Sequence, residues 1–294
     1  MKDKSVLITG ISGFTGKYLK EHLAKFGYKV FGGDDLCEDK LGLKFDVKNK
    51  RLVDYTIDRI QPNFIIHLAA KSEVTNQNLK DVYLTNTLGT NNIIESAKNI
   101  KNLKKIIFAS SAHVYGNHDG GLLREDFELR PNNHYAVSKL AAENICNLHA
   151  DTLPIIIARP FNYTGVGQNK NFLIPKIVEG FKQNYKSLDL GSLAVARDFS
   201  DVRDIAEDYR QIMLFGIPGE VYNICSGRAI SLNSIVEHLV ALTGNRIIVN
   251  SKLHLIREKE VKIIKGTREK LDTLTGKRQR YSIEETIEWM YVGR

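Results

Sequence analysis

Tyr135 and Lys139 stand four residues apart in HYAVSKLAAE (134–143), a stretch whose pattern predicts a helix, so the two side chains share one face. A phenol that trades protons near neutral pH must have its pKa lowered from about 10, and an ammonium held beside it stabilises the phenolate. The pair could therefore serve as a general acid/base, although the same spacing also describes an ordinary surface pair. Upstream, FASSAHVYG (108–116) closes an apolar run that reads as a strand. Ser111 at its end is placed to hydrogen-bond a substrate oxygen, or simply to form a turn.

A second set of residues points to a phosphate-bearing ligand. In VLITGISGFTGKYL (6–19), Gly10, Gly13 and Gly16 close a strand pattern and open a helix pattern. A pyrophosphate can rest on such a helix N-terminus: Gly10 makes the turn, Gly13 lets phosphate approach the backbone, and Gly16 lets helix and sheet pack closely. Incidental glycines in a tight turn are the plainer alternative. Asp34 ends the second strand pattern, near the ~20-residue offset of the acid that takes the ribose hydroxyls. An anion there repels the extra phosphate of NADP and favours NAD(H). Asp34-Asp35 is also a plain turn pair, and Gly32-Gly33 leaves room for a lysine, so NADP(H) stays open.

These residues need a scaffold, and the order of elements supplies one. SVLITG (5–10), KVFGGD (29–34), FIIHLAA (64–70), KIIFASS (105–111) and PIIIARPFN (154–162) read as strands, each followed by helical periodicity. That alternation predicts an α/β fold, a Rossmann-type doubly wound parallel sheet. TGKYLKEHLAKFG (15–27) puts Tyr18, Leu19, His22, Leu23 and Phe26 on one face and stops at Gly27. NFLIPKIVEGFKQ (171–183) reads as a helix, GEVYNICSG (219–227) as a strand, and SLNSIVEHLVALTG (231–244) as a helix with a serine cap. Residues 1–165 form the expected dinucleotide-binding domain, with some later segments returning to it. Residues 166–294 form mainly a smaller C-terminal substrate-binding lobe.

Composition narrows the class. With 294 residues, 43% hydrophobic and 26% charged, the chain is an ordinary globular protein, and no apolar run approaches the ~20 residues of a membrane helix. The N-terminus passes from charge straight into a strand pattern, and the expected address is the cytoplasm, with no membrane partner. The three cysteines are far apart and no histidine stands at ligand spacing, so neither disulfides nor a metal is expected. The net charge of +8 is spread, with acids interleaved in REKEVKIIKGTREK (257–270), and no stacking aromatics punctuate the basic runs. An anionic small molecule fits better than nucleic acid.

Taken together, TGISGFTG, HLAA (67–70), SSAHVYG, YAVSK, ARPFN and RDFSDVRD (197–204) resemble the extended short-chain dehydrogenase/reductases, the NAD-dependent epimerase/dehydratase family that acts on nucleotide-diphosphate sugars. The resemblance covers about the first three quarters of the chain. It implies that Ser111, Tyr135 and Lys139 are catalytic, with Tyr135 the acid/base and Lys139 also holding the nicotinamide ribose. By the same resemblance Phe14 joins the glycines at the cofactor, Asp46 and Val47 meet the adenine, Leu68, Ala69 and Lys71 border the cofactor, and Asn86 lies near it. Asn162, Phe172, Leu173, Arg197 and Arg257 match positions that hold the sugar nucleotide. Relatives commonly pair through the helices matching 86–99 and 135–150, so a homodimer is expected.

Dehydratases of this family carry an acidic pair directly after the catalytic Ser or Thr. Here Ala112 and His113 stand there, so dehydration is not expected and His113 reads as a wall residue. The run from FNYTGVGQNKNF through VARDFSDVRD resembles the GDP-6-deoxymannose reductase branch. The expected activity is NAD(P)H-dependent reduction of a GDP- or dTDP-linked 4-keto-6-deoxyhexose, in deoxysugar biosynthesis for surface polysaccharide. A nucleotide-sugar 4-epimerase and a non-catalytic NAD or nucleotide-sugar sensor are the alternatives.

Overall fold

Val6, Leu7, Ile8, Ile65, Ile66, Ile106 and Ile107 are all fully buried, as runs of branched aliphatics are when a sheet is covered on both faces. The computed structural model describes residues 4–33, 45–72, 78–118, 121–193, 195–252, 261–276 and 281–293. In chain order the elements begin with β1 (Ser5–Thr9), α1 (Phe14–Lys25), β2 (Lys29–Phe31), α2 (Lys50–Ile60), β3 (Phe64–His67) and α3 (Leu79–Tyr83). A π turn (Leu84–Leu88) leads into α4 (Gly89–Ala97), followed by β4 (Lys105–Ala109), a 3-10 turn (Ala112–Tyr115), β5 (Gly121–Leu123) and α5 (His134–Leu148). Next come β6 (Ile155–Pro160), β7 (Asn162–Thr164), α6 (Leu173–Lys182), β8 (Ser187–Leu190), β9 (Ala196–Asp201) and α7 (Val202–Phe215). The chain closes with β10 (Val221–Ile224), β11 (Ala229–Ser231), α8 (Leu232–Thr243), β12 (Ile248–Ser251), β13 (Ile263–Gly266), α9 (Glu269–Thr275) and α10 (Ile283–Val292).

Six strands form one sheet in the order β10-β6-β4-β3-β1-β2, parallel throughout. Successive side chains of a strand point to opposite faces. Val6 and Ile8 thus meet Leu19 and Leu23 of α1 and Ile205 and Ile212 of α7, while Leu7, Ile65 and Ile106 meet α2, α4 and α5 through Val53, Ile57, Ile93 and Cys146. Helices cover both faces, which is the Rossmann-type doubly wound α/β architecture. α7 and β10, from beyond residue 200, are part of this layer. Phe26 departs from its expected place on the inner face: α1 ends at Lys25, and Phe26 is 45% exposed beneath the Arg210 guanidinium, 3.9 Å away.

The other layer joins β5, β9, β11 and β13, with β7 paired to β9, and a separate β8-β12 pair. Its core is Ile177 and Phe181 of α6, Ile235 and Leu239 of α8 and Ile287 of α10. Buried charge ties it to the first layer. Asp201 caps α7 by accepting from Arg203 N (2.7 Å), takes the Arg203 guanidinium and the Thr286 hydroxyl (2.7 Å), and the guanidinium lies 3.6 Å from the Tyr281 ring and 3.9 Å from Trp289. Asp198, wholly buried, accepts from Ser226 N, Ser226 Oγ, Gly227 N and Gly266 N, and these four donors work against a desolvation that still holds its pKa above the usual carboxylate value.

Between β1 and β3 the strand order reverses direction, and in an open parallel sheet such a point leaves a crevice at the carboxyl ends. Gly10, φ +69°, turns the chain there; a Cβ on it would stand 3.0 Å from Ala69 Cα, so the turns after β1 and β3 touch.

Candidate active site

A cleft of about 870 Å³ opens at these strand ends and is walled by both layers. Gly10, Gly13, Phe14, Gly16, Asp46, Val47, Leu68, Ala69, Lys71, Ser111, Tyr135, Lys139, Asn162, Phe172, Leu173 and Arg197 all line it. Asp34 and Arg257 lie outside the described residues. Asn86, expected beside the cofactor, does not face the cleft: it is wholly buried behind it.

The glycine turn fits a dinucleotide. Gly13 is the N-cap of α1 and no side chain caps that helix; a Cβ on Gly13 would meet only Gly10 O, at 3.1 Å, and would otherwise fill the space in front of the first-turn amides. An open helix N-terminus of this kind suits a pyrophosphate. At Gly16 a Cβ would come within 2.4 Å of Gly10 O and 2.7 Å of Ile11 Cα, so only glycine allows helix and turn to pack this closely. The turn is also clamped from the other layer: Thr15 Oγ1 and Tyr163 OH share a 2.7 Å hydrogen bond, Phe14 stacks on Tyr163 (6.2 Å, 9°), and Tyr18 OH donates to Val166 O.

Behind the cleft runs a chain of buried hydrogen bonds whose directions can be assigned. The Thr90 hydroxyl donates to Asn86 O (2.7 Å), so its oxygen can only accept from His67 Nε2 (3.0 Å). His67 Nδ1 is then bare and accepts from the Thr9 hydroxyl (2.6 Å), whose oxygen accepts Ala69 N–H (3.1 Å). Burial lowers the His67 pKa to about 3, keeping the ring neutral and this pattern fixed. Asn86 extends the chain, accepting from Lys71 N (2.8 Å) and donating to Lys71 O (3.1 Å) and Ser138 Oγ (2.9 Å). It falls in the π turn, whose extra residue displaces the side chain from ordinary helical spacing. Asn86 therefore positions Lys71 and the helix of Tyr135 rather than lining the cleft.

Tyr135 and Lys139 line the cleft together, but not as an acidified phenol beside its ammonium. Lys139 Nζ donates to Ala109 O (2.7 Å) and lies 5.0 Å over the Phe108 ring, and burial lowers its pKa to about 8. Burial raises the Tyr135 pKa above its ordinary value, with the Ser111 hydroxyl acting against that rise and Tyr163 adding to it. Desolvation is the largest of these influences on Tyr135. Tyr135 is thus fully protonated at neutral pH, the state required of an acid that delivers a proton.

Ser111 is held in extended backbone (φ −162°, ψ 148°), and its Oγ accepts from His113 N (3.2 Å). A network that the sequence did not reveal holds the strand end beneath it. Ser110 Oγ donates to Glu143, which also receives Arg159 through Nε (2.9 Å) and Nη2 (2.7 Å). Arg159 Nη1 donates to Tyr115 OH (3.0 Å), and Tyr115 donates on to Asn223 Oδ1 (2.7 Å). Glu143 lies one turn beyond Lys139 on α5, a spacing that could have flagged it. Asn117, Asn132, Gln168, Asn169 and Tyr163 also line the cleft without having been singled out. Gln168 accepts from Thr164 Oγ1 (2.7 Å) and donates to Tyr163 O (3.1 Å), which shapes the GVGQ turn.

Comparison with known proteins agrees with this geometry. The family model described as GDP-mannose 4,6 dehydratase matches residues 7–290. GDP-6-deoxy-D-talose 4-dehydrogenase of Aggregatibacter actinomycetemcomitans is 34% identical over 292 residues, covering 98% of this chain and 97% of the relative. GDP-6-deoxy-D-mannose reductase of Pseudomonas aeruginosa is 30% identical over 300 residues, covering 96% and 94%. The structure of RMD from Pseudomonas aeruginosa complexed with NADPH superposes with a TM-score of 0.87 at 26% identity, covering 99% of this chain and 98% of that one. With the glycine cradle, the Ser111, Tyr135 and Lys139 cleft and these full-length similarities together, the chain belongs to the GDP-mannose 4,6-dehydratase family of extended short-chain dehydrogenase/reductases.

Proposed function

We propose that the protein is an NAD(P)H-dependent oxidoreductase that reduces the 4-keto group of a GDP-linked 4-keto-6-deoxyhexose. The observation that carries this reading is a protonated phenol, Tyr135, beside Ser111 in the same cleft as an open glycine cradle. The turn of Gly10, Gly13, Phe14 and Gly16 would hold the pyrophosphate, Asp46 and Val47 the adenine, and Lys139 the nicotinamide ribose; the bound cofactor supplies the hydride. Ser111 orients the carbonyl oxygen and Tyr135 gives it a proton as negative charge develops there. The Lys139 ammonium stabilises the phenolate that remains. On the sugar-nucleotide side, Asn162, Phe172, Leu173 and Arg197 supply polar, apolar and cationic contacts, Arg197 as a fork for the diphosphate.

The Asp34 reading favours NADH, whereas the Pseudomonas aeruginosa structure holds NADPH. The proposed setting is cytoplasmic deoxysugar-nucleotide synthesis for surface polysaccharide such as the O-antigen of lipopolysaccharide. No helix among the described residues is long and apolar enough to cross a membrane. A homodimer fits the exposed Leu88, Val137 and Leu148 on and beside α4 and α5.

The test offers GDP- and dTDP-linked 4-keto-6-deoxyhexoses with NADH or NADPH and follows loss of the reduced cofactor. One cofactor oxidised per GDP-linked sugar is expected. Isomerisation of a hydroxy sugar without added reduced cofactor, or binding without any oxidation, overturns the reading.

A further inference from the structure

We infer that His113 selects which face of the sugar's C4 carbonyl is reduced, a refinement that rests on the reductase reading above. Ser111 and Tyr135 both address one atom, the carbonyl oxygen O4. With O4 anchored there, the sugar ring keeps one coarse freedom, a half-turn about the C4=O4 bond. That half-turn exchanges C3 with C5 and presents the opposite face of C4 to a hydride donor whose position is fixed. The two poses therefore yield products epimeric at C4. They occupy similar volumes but differ chemically: C3 carries a hydroxyl, whereas C5 carries a methyl group. A polar side chain set to one side of the O4 anchor makes a hydrogen bond in one pose and faces a methyl in the other, where its lost hydration goes unreplaced.

His113 occupies such a place. It belongs to the 3-10 turn that starts directly after Ser111, its ring stands edge-on to the Tyr135 ring (5.7 Å, 77°), and it is half-buried in the wall of the same cleft. It is the one imidazole among the described cleft residues. The contact from this turn to Ser111 Oγ comes from the His113 backbone N–H, so a side-chain substitution leaves the Ser111 geometry supported. A local selector is also what the comparisons call for. The relatives named for 6-deoxy-D-talose and 6-deoxy-D-mannose concern sugars epimeric at C4, so one scaffold serves both configurations.

The experiment determines product configuration by proton NMR after reduction of the GDP-linked 4-keto-6-deoxyhexose by wild type, His113→Leu and His113→Gln. Wild type yields one C4 epimer. His113→Leu, which keeps bulk and removes polarity, raises the share of the minor epimer about tenfold, the selectivity one neutral hydrogen bond supplies. His113→Gln keeps a polar group and restores most of the preference. An unchanged epimer ratio in an active His113→Leu, or a His113→Gln enzyme as unselective as His113→Leu, overturns the inference while leaving the reductase reading intact. A wild type that oxidises neither NADH nor NADPH with any of these keto sugars overturns both.

Discussion

The cofactor side of the cleft is made of backbone, and the substrate side is made of side chains held at second hand. At the glycine turn the constraints are local: Gly10 needs its left-handed φ, and Gly16 has no room for a Cβ within its own turn. On the other side two of the candidate contacts depend on partners remote in sequence. Asn162 Nδ2 donates to Asp198 O (3.2 Å), and Arg197 Nη1 donates to Val261 O (2.9 Å). The first arrangement tolerates almost no change, which suits the role we propose for it, holding a feature common to all dinucleotides. The second can drift residue by residue, which suits a surface that must be retuned for different sugars. Tyr135 and Ser111 sit where the two meet.

The largest expected effect lies at that junction. Tyr135→Phe should lower kcat by about a thousandfold, the middle of the range for loss of a general acid, while the cofactor dissociation constant stays within about threefold. Steady-state kinetics and fluorescence titration of NADH and NADPH measure the two numbers; retained turnover removes Tyr135 from the acid's role. Next in size, Gly16→Ala should destabilise the protein by about 3 kcal/mol and weaken cofactor binding, because its Cβ would lie 2.4 Å from a carbonyl oxygen of the turn. Phe172→Ala, at a residue 39% exposed on the substrate side, should cost under about 1 kcal/mol. Urea midpoints for the two variants compare the sides directly, and equal losses would erase the distinction.

The same division explains what could be read from the sequence. The central strands of the first sheet were legible because buried aliphatic runs announce themselves, and the glycine turn because backbone demands are written in single residues. Ser111, Tyr135 and Lys139 were legible by position, but the acidity of Tyr135 was not. Spacing of four reports that two side chains share a face, and says nothing of how far both are desolvated or that Lys139 bonds Ala109 O instead. The burial of Asn86 behind the cleft was not legible, because a π turn cannot be told from an α turn by periodicity. The Thr15–Tyr163 bond spans 148 positions, and Arg159 with Glu143 is a buried ion pair inside segments that otherwise read as apolar. Long-range partners of this kind leave no local signature.

Lys139 sharpens the comparison through pH. Its ammonium is lost above about 8 rather than at the ordinary 10.5, so kcat/KM, which reports the free enzyme, should fall about tenfold per unit above pH 8. Stability should move the other way. Between pH 8 and 10.5 the unfolded chain still binds the proton that the native state has released, so this residue's contribution to stability rises with pH across that window. Thermal melts of wild type against Lys139→Met isolate it, since the variant lacks the titration; a difference that is flat with pH rejects the lowered pKa.

An effect on binding rather than on turnover is expected where the substrate side is most adjustable. Arg197 Nη1 donates to the carbonyls of Ala196 and Val261, which ties the guanidinium to the strand edge in the wall of the cleft. Arg197→Lys keeps the charge but loses the planar fork, and one ammonium cannot hold both the strand edge and a diphosphate. KM for the nucleotide sugar should rise about five- to tenfold with kcat within about twofold, because the diphosphate contact is the same in ground and transition states. A fall in kcat with KM unchanged would mean that Arg197 acts on the reacting carbon, and the substrate side would then share the rigidity of the glycine turn.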